Sequence, residues 1–169
     1  MKNLNSNGHF VSPSVGALSV PRMISEITNF VKSDPGSYYK LVIGTDSQVR
    51  HTNGLAECDY VTAIIIHRLG TGAKYFWKKE KVKIAPVLRD KIYKETTMSL
   101  NAAETLVPEI RKSINGSGKY ELEIHIDVGK QGPTREMIKE VVGMVTGSGY
   151  VAKTKPDSWG ASSVADKHT

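Results

Sequence analysis

From Pro21 onward apolar residues recur at helical spacing, with Met23, Ile24, Ile27, Phe30 and Val31 on one face. The spacing predicts a short amphipathic helix, opened by Pro21 and stopped by Asp34-Pro35-Gly36. Residues 1–20 are rich in Asn, Ser, Gly and Pro, hold no period, and predict a flexible arm or a loop laid over the domain. Three strands are predicted next. Tyr38–Thr45 is rich in Tyr, Val and Ile, and Tyr60–His67 is a near-continuous apolar run of the kind covered on both faces. Ala73–Val82 carries Tyr75, Phe76 and Trp77 before turning basic. Asn53-Gly54 and Gly70-Thr71-Gly72 supply turn chemistry between them, which predicts an antiparallel meander.

A long helical stretch follows from about Pro86 to Ile114. Leu88, Ile92, Glu95, Ser99, Ala102, Leu106 and Ile110 step along one face, and Pro108 is expected to kink or divide it. Leu122–Ile126 is a strand delivering Asp127, and Thr134–Val145 is a helix stopped at Gly147-Ser148-Gly149. Tyr150–Lys153 is a short strand, and Ser158 to about Lys167 a last helix. The order α-βββ-αβαβα predicts one α/β domain over residues 21–169. Its mixed five-stranded sheet is flanked by helices, with strands 1–3 antiparallel and strands 4–5 parallel to strand 1.

Composition narrows the function. The chain of 169 residues suits one domain with one substantial core. No run approaches the roughly 18 apolar residues of a membrane span, and the start lacks the layout of a secretory signal. The single cysteine, Cys58, excludes an internal disulfide and a cysteine-based zinc site, so a reducing, cytoplasmic setting is expected. A net charge of +6 favours a polyanionic partner such as nucleic acid.

Four acids stand at telling addresses. Asp46 ends the first strand, Glu95 lies on the apolar face of the long helix, Asp127 ends the fourth strand, and Asp166 lies on the last helix. Strands one and four are natural neighbours, which would set Asp46 beside Asp127, where ligands gather in open α/β sheets. Clustered carboxylates repel one another unless a cation is present, and hard oxygen ligands select Mg²⁺ or Mn²⁺. Two such ions about 4 Å apart suit phosphodiester cleavage. The bland alternatives are a turn-forming Asp, a solvated Glu95 and an exposed Asp166.

This pattern resembles the ribonuclease H-like superfold. The segments Ile43-Gly44-Thr45-Asp46-Ser47-Gln48, Glu95-Thr96, His125-Ile126-Asp127-Val128-Gly129, Lys155-Pro156-Asp157-Ser158 and Ala165-Asp166-Lys167 resemble, more narrowly, the YkuK-type bacterial family. The resemblance spans about residues 10–169. It implies a divalent-metal-dependent nuclease whose catalytic and metal-binding acids are Asp46, Glu95, Asp127 and Asp166, with Asp157 competing for the fourth place. The alternatives are a non-catalytic nucleic-acid-binding module on the same fold and, more weakly, a small-phosphoester hydrolase. His125 reads as a site neighbour or as a satisfied polar group. The cluster Lys74, Lys78, Lys79, Lys81 and Lys83 reads either as a nucleic-acid contact, centred on Lys78 and Lys79, or as lysines guarding a sheet edge. Gly129-Lys130-Gln131-Gly132 is too short and misspaced for a nucleotide-phosphate loop.

Overall fold

The computed structural model describes residues 9–116 and 118–168, with the side chains of Ala161, Ala165 and Asp166 outside the description. The strands are β1 (Phe10–Ser12), β2 (Gly16–Leu18), β3 (Tyr38–Thr52), β4 (Leu55–Arg68), β5 (Gly72–Val82), β6 (Lys119–His125) and β7 (Val151–Lys153). They form one seven-stranded mixed sheet in the order β2-β1-β5-β4-β3-β6-β7. β3, β4 and β5 are the expected antiparallel meander, and β6 and β7 run parallel to β3. The helices are α1 (Val20–Lys32), α2 (Leu88–Ile114), α3 (Ile138–Gly147) and α4 (Trp159–His168), with a 3-10 turn at Arg135–Met137 ahead of α3.

The sheet therefore exceeds the five strands expected. Both additional strands come from the stretch read as an arm: β1 pairs with β2, and Val11 meets Trp77 of β5. Each is three residues long, too short for alternation to show in sequence. β3 also runs well past Thr45. Its polar second half pairs with β4 all the way to Thr52↔Leu55. Asn53 and Gly54 close that hairpin with φ of 52° and 77°, the left-handed pair that matches the twist of a two-residue turn. α2 is continuous through Pro108 and ends at Asn115, whose φ is 46°.

The two faces of the sheet are unlike. α1, α2 and α3 cover one face, where Met23, Ile27, Ile43, Ile64, Leu106 and Val141 belong to the main core. Val42, Ala63 and Ile65 of the sheet and Val164 of α4 form a small cluster on the other. α4 reaches the sheet only because residue 160 is glycine: a Cβ there would lie 2.6 Å from Val42 Cγ1 and 3.1 Å from His125 Nδ1. No helix among the described residues is long and apolar enough to cross a membrane.

Candidate active site

The parallel register places Gly44 opposite His125, so Asp46 and Asp127 each follow two residues further along neighbouring chains. Both are half-buried. Glu95 approaches from α2 and is only 3% exposed. Ser47 Oγ donates a hydrogen bond to Glu95 Oε2, while Ser47 N–H donates to Asp46 Oδ1 at 2.9 Å. One residue thus ties Asp46, which lies inside β3 rather than at its expected end, to the helix acid.

Electrostatics brings the third acid into the same neighbourhood. Burial pushes the Glu95 carboxyl up to about 8, and the charges of Asp46 and Asp127 push the same way against the pull of Ser47 and Lys91. Glu95 Oε1 is buried with no hydrogen-bond partner among the described residues. Asp127 Oδ1 is paired with Lys155 Nζ at 3.0 Å. The loop between them needs Gly129, where a Cβ would stand 3.2 Å from Lys155 Cβ. Asp166 lies on α4 with its side chain outside the described residues, and Asp157 is exposed just before that helix.

Among the described residues, no three His, Cys, Asp or Glu side chains converge closely enough to hold a metal ion. The donor chemistry nevertheless fits a hard cation. Glu95 presents a buried carboxyl oxygen with no proton donor among the described residues, and the nearby charges of Asp46 and Asp127 raise its proton affinity, opposed by Lys91. An unsatisfied acceptor of this kind is costly in a folded interior unless something binds it.

His125 resolves as a satisfied polar group. Its Nε2 bonds Glu123 Oε1 at 3.0 Å, Glu123 Oε2 pairs with Lys40 Nζ at 3.3 Å, and its Nδ1 accepts the Gly160 N–H at 3.0 Å. Accepting at Nδ1 leaves the proton on Nε2, facing Glu123. Burial holds His125 below the usual imidazole value, against the pull of Glu123. The ring also stands edge-on to Trp159, with centroids 5.3 Å apart. Its work is to seat α4.

The basic strand divides between the faces. Lys78 is half-buried beside α2, while Lys79 is exposed and its charge acts on His168 of α4. Trp77 stacks on His168 at 4.2 Å and Phe76 is buried in the main core, so those two rings are already engaged. Lys74 pairs with Glu26 and Lys81 with Glu57. Cys58 is a buried free thiol. Ser47 and Lys155 stand within the segments quoted from the sequence but were given no role of their own there.

An acid on the central strand β3, a helix acid tied to the serine beside it, and the parallel neighbour β6 leading to a third describe a recognised class. The family model of ribonuclease H-like proteins matches residues 22–169, and the chain belongs to that family. It is also similar to a protein of Bacillus subtilis (strain 168), "Uncharacterized protein YkuK". The two are 34% identical over 170 residues, covering 95% of this chain and 96% of the relative. No solved structure matches the chain.

Proposed function

We propose that the protein is a nuclease that cleaves phosphodiester bonds of nucleic acid with Mg²⁺ or Mn²⁺, held as two ions by Asp46, Glu95, Asp127 and Asp166. One observation carries the reading: Glu95, buried and with a free carboxyl oxygen, lies within the fields of Asp46 and Asp127. Such a group is out of place in a purely structural core and suited to a cation site. A bound divalent ion supplies a polarised water and stabilises the charge that develops on the phosphate. The chain's own residues prepare the surroundings. Ser47 fixes one oxygen of Glu95 and leaves the other free to ligate. Lys155 keeps a cation beside Asp127, ready to face a phosphate of the strand.

The Lys155–Asp127 pair also favours a second reading, a nucleic-acid-binding module without turnover, since a lysine engages one of the acids. Purified protein, challenged with RNA–DNA hybrid, RNA and DNA in Mg²⁺ and in Mn²⁺, separates the two. Cleavage that disappears in Asp46→Asn and in Asp127→Asn is the expected result, because an amide carries no charge to anchor the ion. Binding without cleavage selects the module.

A further inference from the structure

A cleft of about 260 Å³ opens between β1, β5 and α2, on the face of the sheet that carries Glu95. Phe10 and Thr62 line it from the sheet, Asn101 and Thr105 from α2, and Lys78 and Glu80 from β5. Three features give it a chemical preference.

The first is charge. Lys78 is half-buried, its Nζ 6.0 Å from the centre of the Phe10 ring, and among the described residues it has no carboxylate partner. A lysine partly withdrawn from water without a counter-ion favours a bound anion. Glu80 is exposed and sets the opposite sign two residues along, so an anion is directed to the Lys78 end. The second feature is size. The volume lies just below the roughly 300–1,000 Å³ of ordinary ligand pockets, enough for one nucleotide and too small for a duplex to enter.

The third is continuity with Glu95. Thr62 Oγ1 on the cleft wall bonds Thr45 Oγ1 at 3.0 Å, and Thr45 Oγ1 bonds Ser99 Oγ at 2.9 Å. Thr45 adjoins Asp46, and Ser99 is one turn along α2 from Glu95. Lys78, Thr62 and Thr45 face one another across three strands, so Lys78 stands about two strand spacings, near 10 Å, from Thr45.

We infer that this cleft receives one nucleotide of an unpaired strand, a neighbour of the one whose bond is cut, with its phosphate on Lys78. The inference rests on the proposed function and names its substrate as single-stranded at that position. Asn101 and Thr105 offer hydrogen-bonding groups to the base or sugar, while Phe10 supplies an apolar wall.

The test uses the full chain and a labelled eight-nucleotide single strand, as RNA and as DNA, with binding read by fluorescence anisotropy in EDTA. Lys78→Ala is expected to weaken binding about tenfold and to lower the slope of log affinity against log salt by about one, as the loss of one phosphate contact requires. Ala102→Trp, which fills the cleft without changing charge, is expected to weaken binding similarly while its melting curve stays cooperative. Glu80→Gln is expected to tighten it. Lys139→Ala, an equal charge change on exposed α3, serves as the control and leaves affinity unchanged. Equal losses in Lys78→Ala and Lys139→Ala would overturn the inference in favour of diffuse charge. Duplex bound as tightly as the single strand and equally sensitive to Lys78→Ala would overturn it too, as would a wild type that binds no strand. The cleavage assay keeps the two proposals apart. Unchanged KM in Lys78→Ala and Ala102→Trp sinks the cleft alone, whereas undiminished cleavage in Asp46→Asn sinks the acid site and leaves the binding result standing.

Discussion

The two faces of the sheet solve opposite problems. Under α1, α2 and α3 the sheet is sealed by large aliphatic side chains, and Ile43, Ile64, Leu106 and Ile110 are essentially inaccessible. Between α4 and the sheet the described residues give a small apolar cluster of Val42, Ala63, Ile65 and Val164, and the helix is held by a glycine contact and by the Lys40–Glu123–His125 chain ending on the Gly160 N–H. One face holds the fold together by area, the other places a single helix by polar geometry. Helix α4 carries Asp166, the fourth acid of the proposed site, and on that proposal its position matters more than bulk.

The contrast is best broken on the thick face first. Leu106→Ala is expected to cost about 2–5 kcal/mol, the range for emptying a sealed core site, read as a lower urea midpoint with unchanged slope. Next comes pH, to which the faces respond in opposite senses. Glu95 has a folded value near 8 against an ordinary 4.5. Its contribution is fully present below 4.5 and is lost as pH rises through 8, by up to a few kcal/mol in metal-free protein. Glu95→Gln should remove that alkaline loss, in urea titrations at pH 5, 7 and 9. On the α4 face His125 is held low, by burial. Glu123 is also held low: burial raises it, but His125 and Lys40 outweigh that. Their contributions are lost as pH falls below the ordinary imidazole and then carboxyl values, so acid should loosen α4 before the main core.

Gly160→Ala sharpens the comparison without emptying anything. The added methyl meets Val42 at 2.6 Å, and such overpacking costs about 1–3 kcal/mol. Hydrogen exchange should quicken in α4 and remain slow in β3 and α2. Last and smallest, Arg89→Ala breaks an exposed pair with Glu140 at 3.3 Å on the thick face. It should change stability by no more than about 1 kcal/mol.

Much of this was legible in the chain. The apolar periods of β4 and α2 are strong enough to fix their type, and the end of β6 located Asp127. Asp46, expected at a strand end, lies inside β3, which runs on to Thr52. The stripe on α2 also told that Glu95 faces inward, because a charged residue at an apolar position must have a reason to be there. Other features were hidden for physical reasons. β1 and β2 hold three residues each, below the length at which a period of two can be seen. Half of β3 is polar since its tip is solvated, so its pairing with β4 left no hydrophobic trace. The Thr45, Thr62 and Ser99 hydroxyls meet from three elements far apart in sequence, which no local pattern records. The splitting of Lys78 from Lys79, by contrast, was available: adjacent residues of a strand point to opposite faces.

The small β1–β2 hairpin has a further consequence, for solubility. Without it β5, eleven residues long and aromatic in its middle, would be the free margin of the sheet on that side. An unpaired strand of that length is a template on which a second molecule can dock edge to edge and begin an aggregate. β1 covers this margin at Trp77, and the lysines at 78, 79 and 81 follow directly along the strand. Chains shortened to begin at Pro21 would keep the meander and the main helices yet expose that margin, and would be expected to self-associate at concentrations where the full chain stays dispersed.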